Sequence, residues 1–247
     1  MKINEIFYSI QGESTLAGVP TLFIRMFGCN VRCAYCDSKY AWEKQPSTDL
    51  EKIGVNLTPE DYTVMTPDEI IESVKNDLAG LDKNNAFICI TGGEPLAQDH
   101  NELKELCVKL HTYLKGHAVI SIETNGTIPI PWHFPFVYWI ADIKTPTSKV
   151  GMDDYAIASL VRSLETKDEI KFVIGDEFDF KWSIDKVRRF IPEDMINNRN
   201  VMFSPMMSKK NPNWPRELAE LIVKEKLPIR YQLQIHKVVW PDVERGV

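Results

Sequence analysis

Three cysteines near the start of this chain have the type and the spacing of metal ligands. They are Cys29, Cys33 and Cys36 in the segment CNVRCAYC, a C-x3-C-x2-C pattern. No fourth cysteine or histidine lies near enough in sequence to complete a four-ligand set. Three thiolates on one loop can hold three irons of a [4Fe-4S] cluster and leave the fourth iron open. Since an open metal position can bind and transform a small molecule, the pattern predicts a catalytic centre.

Two other uses of these cysteines fit the sequence less well. A structural zinc site usually takes two pairs of ligands, and the chain has neither a second C-x2-C nor an H-x3-H pair. A disulfide is disfavoured by the odd cysteine count and by the strand-like N-terminus, which together indicate a reducing, cytoplasmic compartment. Cys89 and Cys107 lie in apolar periodic runs and are expected in the core.

The elements that must position the cysteine loop are predicted from apolar periodicity. Stretches of strand length recur at Thr21–Met26, Ala86–Ile90, Ala118–Glu123, Val137–Asp142, Glu169–Ile174, Val201–Ser204 and Ile229–Ile235. Amphipathic helical windows fall between several of them, at Pro67–Leu81, Gln98–Leu114, Asp153–Leu164, Phe180–Phe190 and Pro215–Glu225. This alternation predicts an α/β fold, a partial (β/α)6-type barrel with parallel strands and right-handed crossovers.

Polar and glycine-rich motifs come at the ends of the first three of these strands. The cysteine loop follows the first, TGGEP at residues 91–95 the second, and ETNGT at residues 123–127 the third. The carboxyl ends of parallel strands form one edge, where ligands bind in such folds. Because glycine lacks a side chain, Gly92 and Gly93 allow the main chain to approach a ligand closely.

One region departs from the regular alternation. Residues 42–66 contain Pro46, Gly54 and Pro59 among mixed charges, and prolines at these places break a long helix. We therefore expect an irregular insertion and a shortened first crossover within a single domain spanning residues 1–247. This insertion is either a surface loop without chemistry or a segment used in reductase docking or dimerisation, and the sequence favours neither.

Composition narrows the class of partner. The net charge is −6 and Lys and Arg are spread thinly, whereas nucleic-acid-binding proteins usually present a basic face. No apolar run approaches the roughly 20 residues of a membrane span. These observations predict an enzyme acting on a small molecule, without a nucleic-acid or membrane partner.

The motifs together resemble the radical S-adenosylmethionine (SAM) superfamily. The cysteine pattern has an aromatic residue, Tyr35, before its last cysteine, and TGGEP is similar to the GGEP element of that superfamily. Further segments resemble one family within it, the 7-carboxy-7-deazaguanine synthases. They are IQGE at 10–13, FIR at 23–25, CDS at 36–38, ETNGT at 123–127, QIHK at 234–237 and RGV at 245–247. The resemblance runs from residue 3 to the last residue.

The resemblance implies a reaction and its cofactors. In the synthases, a [4Fe-4S] cluster and SAM generate a 5′-deoxyadenosyl radical that abstracts hydrogen from C6 of 6-carboxy-5,6,7,8-tetrahydropterin. Ring contraction and loss of ammonia then yield 7-carboxy-7-deazaguanine, a precursor of queuosine, and SAM is regenerated. The family also uses Mg2+, receives electrons from a reductant protein such as a flavodoxin, and forms homodimers. No amino-acid side chain beyond the cluster and the SAM radical is expected to be catalytic.

The resemblance also implies roles for residues of this chain. It assigns the cluster to Cys29, Cys33 and Cys36 and SAM binding to Gly93, Glu94, Glu123, Asp142, Ile143 and Lys144. It assigns the substrate to Ile10, Gln11, Gly12, Glu13, Arg25, Thr91, His236 and the C-terminal Val247. Arginine suits a carboxylate because its planar fork makes two parallel hydrogen bonds. Magnesium prefers oxygen ligands, and the Ser38 hydroxyl occupies the family's position for it.

Two other classes of function use some of the same motifs. Another small radical SAM enzyme, such as a glycyl-radical activase that acts on a protein, shares the cluster and GGEP but has no need of residues 10–13 or Ser38. A non-enzymatic iron–sulfur electron carrier would have four cysteine ligands and no SAM-binding strand. Reductive cleavage of SAM separates the carrier from both enzymes.

Overall fold

The described part of the chain forms one twisted nine-stranded sheet with helices on its outer side. The computed structural model describes residues 1–42, 62–80, 86–208, 210–243 and 245–246, without the side chains of residues 77–80. The strand order is β3-β1-β2-β4-β5-β6-β7-β8-β9. From β2 onward in this order, each strand is parallel to the next one, as far as β9. The fold is thus a partial TIM-like barrel, as the sequence predicts.

The strand bounds confirm most of the expected strands. They are β1 (Lys2–Ile10), β2 (Pro20–Met26), β3 (Thr63–Val64), β4 (Ala86–Gly92), β5 (Ala118–Thr124), β6 (Val137–Asp142), β7 (Glu169–Ile174), β8 (Val201–Pro205) and β9 (Arg230–Tyr231). Strand β1 pairs antiparallel with β2, since a connection of only nine residues cannot make a parallel crossover. The two-residue strand β3 pairs with Lys2 and Ile3.

Helices fill most of the connections between the parallel strands. They are α1 (Pro67–Gly80), α2 (His100–Tyr113), α3 (Asp154–Arg162), α4 (Glu177–Phe190), α5 (Glu193–Asn197), α6 (Trp214–Lys224) and α7 (Ile235–Val239). The side chains of Asp99, Asp153 and Asp176 accept hydrogen bonds from main-chain N–H groups in the first turns of α2, α3 and α4. Residues 125–136, between β5 and β6, cross over without a helix.

Alternate residues on each strand face opposite sides of the sheet. Residues such as Ile24, Ile90, Ile122 and Phe172 are fully buried in one apolar core with the helices. Several of their neighbours on the other, concave side are polar. They include Arg25, Thr91, Glu123, Asp142 and Lys171. The fold therefore places a polar interior directly behind the loops at the carboxyl ends of the strands.

The predicted strand over Ile229–Ile235 is confirmed only for Arg230 and Tyr231, and the prediction is wrong for the residues that follow. Only Arg230 and Tyr231 pair with β8, and helix α7 begins at Ile235. The Gln232 side chain donates to the Ser14 carbonyl at 2.7 Å and the Ile235 N–H donates to the Gly12 carbonyl at 3.0 Å. These contacts with the loop after β1 draw the chain out of the sheet.

The expected irregular insertion falls largely outside the described residues. Of residues 42–66, the structure describes Trp42 and 62–66, which include β3. Among the described residues, no helix combines the length and apolar composition needed to cross a lipid bilayer.

Candidate active site

The cysteine loop leaves β2 and lies across the carboxyl edge of the sheet. The Gly28 N–H donates to the Ala41 carbonyl at 2.7 Å, which closes the loop at its base. The Ala34 N–H donates to the Ser148 carbonyl at 2.9 Å and ties its middle to the segment after β6. The three thiols are free and half-buried. The loop that carries the three thiols is therefore held at both points.

Two side chains from other elements donate hydrogen bonds to cysteine sulfurs. The indole N–H of Trp42 lies 3.2 Å from Cys36 Sγ, and Asn125 Nδ2 lies 3.6 Å from Cys29 Sγ. Donors of this kind balance the negative charge of ligating thiolates. Three free thiols on one loop, with two N–H donors beside them, fit a [4Fe-4S] cluster held by three protein ligands.

The TGGEP turn packs directly against the cysteine loop. The Glu94 N–H donates to the Gly28 carbonyl at 2.8 Å. A Cβ atom on Gly93 would lie 2.1 Å from the same carbonyl oxygen, so only glycine fits there. At Gly92, φ is +126° and a Cβ would lie 2.2 Å from the Met26 carbonyl oxygen. The two glycines thus allow the main chain of this turn to lie beside the metal-ligand loop.

The Glu94 side chain braces the site from behind. Its carboxylate is fully buried and accepts from the Leu96 N–H, the Asn125 N–H and the Thr124 hydroxyl. Burial raises the pKa of the Glu94 carboxyl in spite of these three donors. Because protein groups use both oxygens, the side chain shapes the turn and joins β4 to β5.

Glu123 lies at the end of β5 on the concave face, half-buried. Its carboxylate accepts from the Thr91 hydroxyl at 2.7 Å and from Gln11 Nε2 at 3.4 Å. Gln11 is buried and its other amide atom accepts from the Glu13 N–H at 3.1 Å. The structure thus brings together four residues that the sequence assigns to two different ligands.

Glu13 forms a buried ion pair that the sequence did not predict. Its carboxylate accepts from Lys171 Nζ and from Gln234 Nε2, and the Glu13 and Lys171 side chains are 11% and 12% exposed. Burial alone would raise the pKa of the Glu13 carboxyl, but the Lys171 ammonium holds it below its ordinary value. Conversely, burial would lower the pKa of Lys171, and the charges of Glu13 and Asp142 raise it well above its ordinary value. Both groups are therefore charged at neutral pH.

The end of β6 and the residues after it add two more charged groups, Asp142 and Lys144, next to the Glu13–Lys171 pair. Lys144 Nζ lies 2.8 Å from Asp142 Oδ2, and Lys171 Nζ lies 3.9 Å from the same oxygen. Asp142 Oδ1 is buried and accepts no hydrogen bond in the part of the chain that the structure describes. The Ile143 side chain is fully buried in the apolar core, so only its main chain can face a ligand.

Arg25 lies on the concave face of β2, next to Thr91 of β4. Its Nε atom lies 2.7 Å from Glu5 Oε1, and its guanidinium lies 5.5 and 5.7 Å from the ring centroids of Phe7 and Tyr40. The side chain is thus neither solvated nor loose. A fixed guanidinium is pre-organised to bind a carboxylate with its remaining N–H groups.

Ser38 and Asp37 lie where the cysteine loop ends. The Ser38 hydroxyl donates to Asp37 Oδ1 at 3.0 Å, and Asp37 Oδ2 accepts from Lys237 Nζ. Although aspartate is a common helix N-cap residue, Asp37 does not cap the turn that follows it. The short 3₁₀ turn that follows begins after Ser38 and has no side-chain cap, because Asp37 turns toward the C-terminal segment instead.

His236 lies over Gly12 in the first turn of α7, rather than at a strand end as the sequence suggested. A Cβ on Gly12 would lie 2.1 Å from His236 Nδ1, so the ring packs on the bare glycine. Burial lowers the pKa of His236 against the opposing charge of Glu13, so the imidazole is neutral at neutral pH. Ile10 ends β1 next to this loop. Val247 lies outside the described residues.

Sequence reasoning missed Lys171, Gln234, Asn125 and Trp42. Lys171 is the one lysine in a predicted buried strand, and a charged residue there signals a buried partner. Asn125 is part of the quoted ETNGT motif, and Trp42 follows the cysteine loop by six residues. Gln234 begins the quoted QIHK segment, but its contact with Glu13 joins residues 221 positions apart, so no local pattern displays it.

The radical SAM superfamily profile matches residues 23–132 of the chain, which include the cysteine loop and the TGGEP turn. Over its full length, the chain is 34% identical to the 7-carboxy-7-deazaguanine synthase of Chlorobaculum tepidum, covering 97% of that protein. It is 32% identical to the enzyme of the same name from Koribacter versatilis, with full coverage of both chains. A third of that name, from Methanospirillum hungatei, is 33% identical over 97% of this chain and 85% of its own.

Solved structures agree on the fold. QueE from Escherichia coli superposes with a TM-score of 0.66 at 23% identity, covering 94% of this chain and 93% of its own. Native anSMEcpe with bound AdoMet superposes with a TM-score of 0.50 at 15% identity, covering 88% of this chain and 65% of its own. At these identities the likeness shows a shared fold.

Proposed function

Because the chain belongs to the 7-carboxy-7-deazaguanine synthase family of radical SAM enzymes, we propose that it converts 6-carboxy-5,6,7,8-tetrahydropterin to 7-carboxy-7-deazaguanine, with loss of ammonia, in queuosine biosynthesis. The observation that carries the proposal is the polar interior behind the cysteine loop, where Glu13, Lys171 and Asp142 lie together. The activase and electron-carrier alternatives are not favoured, since the full-length relatives are synthases.

We assign the cluster to Cys29, Cys33 and Cys36. When bound, the cluster and SAM supply the radical that abstracts hydrogen from the substrate. The main chain at Gly93 lies beside the cysteine loop, as a partner for the SAM amino group must. Glu123 offers the carboxylate for ribose hydroxyls. Asp142, Lys144 and the main chain at Ile143 complete the SAM-binding edge, and Glu94 holds the Gly93 turn in place.

The substrate then faces the concave side of β1, β2 and β4. The ionised Glu13 carboxylate can accept from the N–H edge of the pterin, since Lys171 keeps it charged. Arg25 is fixed by Glu5 and suited to the pterin carboxylate. Gln11, Thr91, Ile10 and the His236–Gly12 contact form the remaining walls, with Val247 as a proposed contact at the C-terminus. A buried, ordered interior keeps water and stray hydrogen donors from the radical.

Magnesium is part of the proposal. The Ser38 hydroxyl and the Asp37 carboxylate are adjacent oxygen groups at the mouth of the site. Magnesium keeps several waters and is often held by one or two protein groups plus oxygens of a substrate. We therefore expect Mg2+ to bind tightly only with the substrate carboxylate present.

Three further features complete the proposal. A reductant protein such as a flavodoxin supplies electrons, and the enzyme acts as a homodimer of single-domain chains. The compartment is the cytoplasm, which suits five free cysteines. Each follows from family membership, and the free thiols add support for the last.

An anaerobic turnover assay tests the proposal. Reconstituted protein receives SAM, Mg2+, dithionite and 6-carboxytetrahydropterin, and mass spectrometry follows the products. We expect 7-carboxy-7-deazaguanine with more turnovers than SAM consumed. Deoxyadenosine without that product would reject the substrate and keep the radical chemistry. In parallel, Ser38→Ala is expected to lose Mg2+ stimulation, and undiminished stimulation would reject the Ser38 assignment.

A further inference from the structure

Trp42 is held in one orientation against the cysteine loop. Its main-chain N–H donates to the Lys39 carbonyl at 3.0 Å, and its indole N–H points at Cys36 Sγ, 3.2 Å away. The Arg32 guanidinium lies 4.2 Å from the centroid of the Trp42 ring. Arg32 Nη1 also donates to the carbonyls of Cys29 and Val31, both at 2.8 Å. The indole is therefore fixed by the loop whose sulfur it contacts.

This contact has a consequence for the redox state of a bound cluster. One-electron reduction adds negative charge that is shared by the cluster and its thiolate ligands. An N–H dipole directed at a ligand sulfur stabilises that charge, and hydrogen bonds to the sulfurs are among the factors that set the reduction potential. The Arg32 guanidinium over the ring face helps to hold the indole in this orientation.

We propose that the Trp42 indole N–H, by donating to the sulfur of Cys36, makes the cluster easier to reduce. Trp42 is a positioning residue in this sense, because it acts through Cys36 and does not touch SAM or substrate. Asn125 makes the corresponding contact to Cys29 at 3.6 Å and has the weaker influence, since its amide also donates to Asn30 Oδ1 at 2.8 Å. The inference rests on the cluster of the proposed function and is independent of the substrate.

The test is an anaerobic redox titration of the reconstituted full-length chain without SAM. Dithionite supplies the electron, and the electron paramagnetic resonance (EPR) signal of the reduced cluster reports its fraction at each potential. Trp42→Phe keeps an aromatic ring at this position and removes the N–H donor, together with part of the ring volume. We expect a shift to more negative potential, with about threefold to tenfold less reduced relative to oxidised cluster at a fixed potential. For one electron, a tenfold change equals about 59 mV.

Trp182→Phe on α4 is the matched control, because Trp182 is half-buried on the outer side of the sheet. Its potential should equal that of the wild type. Equal potentials for Trp42→Phe and Trp182→Phe, at equal iron and sulfide content, would overturn the proposal. If Trp42→Phe shows the expected shift in reduction potential but the wild type makes no 7-carboxy-7-deazaguanine, only the proposed substrate is rejected.

A measurement on the unaltered protein covers the case in which Trp42→Phe fails to hold a cluster. Protein with 15N-labelled tryptophan is reduced in H2O and in D2O. Electron–nuclear double resonance should then show an exchangeable proton and a 15N coupling at the reduced cluster. Absence of both couplings would overturn the proposal, as would wild-type protein that binds no cluster.

Discussion

The two faces of the parallel strands differ in polarity and in what they contribute to stability. On β7, Lys171 faces the concave side and pairs with Glu13, whereas the next residue, Phe172, is fully buried in the apolar core and packs edge-on against Phe203 at 5.4 Å. The outer face removes apolar surface from water, at roughly 25 cal/mol per Å2. The inner face removes charges from water, which costs free energy that pairing only partly returns. Stability thus comes mainly from the outer face, and the inner face carries the residues that we propose for the chemistry.

The largest expected effect is loss of the metal centre. Cys33→Ala removes one of the three proposed cluster ligands, so we expect little bound iron and no turnover. The control is Cys107→Ala, which lies in the outer apolar core. It should keep its bound iron and its turnover and lose about 1 kcal/mol in unfolding free energy. Iron and sulfide analysis measures the cluster content of each variant, and the turnover assay measures its activity. An active Cys33→Ala protein would contradict the assignment of the loop.

The second prediction separates stability from chemistry within the Glu13–Lys171 pair. Lys171→Met leaves the Glu13 carboxylate buried without its cation, so unfolding free energy should fall by about 3–5 kcal/mol. We expect kcat/KM to fall by about 100-fold or more, equivalent to roughly 3 kcal/mol or more of lost transition-state stabilisation. Denaturant titration and steady-state kinetics measure the two.

The double variant Glu13→Gln/Lys171→Met is the control for this effect. Removing both charges should restore most of the stability, because no unpaired ion remains. It should not restore turnover, because the charged groups facing the substrate are absent. Recovered turnover in the double variant would mean that the pair is only structural.

Lowering the pH should reduce the stabilisation from the Glu13–Lys171 ion pair and leave that from the outer apolar core unchanged. The pKa of Glu13 is lower in the folded chain than its ordinary value of 4.5, so the pair's stabilisation is complete above about pH 4.5. It is lost as the pH falls through the lower, folded value. Denaturant titrations from pH 7 to pH 3 should therefore show a steeper loss for wild type than for the double variant. Parallel curves would contradict the assigned ion pair.

The smallest effect on activity is expected on the outer face. Phe172→Leu keeps most of the buried volume, so we expect a loss of about 1–2 kcal/mol in unfolding free energy and unchanged kcat/KM at 25 °C. Thermal unfolding and steady-state kinetics check both values. A fall in activity comparable to that of Lys171→Met would show that the two faces are not separable.

Local patterns predicted the outer framework well. The bounds of β6 and β7 match the apolar stretches Val137–Asp142 and Glu169–Ile174, and α2 lies within the predicted window. Such elements depend on spacing within a few residues, which the sequence displays directly. The cysteine loop is equally local, since all three proposed ligands lie within eight residues.

The chain by itself thus determined most of the strands and helices, the cysteine loop and the family. Only the tertiary structure decided what each inner residue touches. It paired Glu13 with Lys171 and Gln234, placed the Trp42 indole on Cys36, and ended the last strand after Tyr231, ahead of a helix whose His236 packs on Gly12. The physical reason is that closure of the sheet joins residues as many as 221 positions apart. No periodicity within a short window records such a contact.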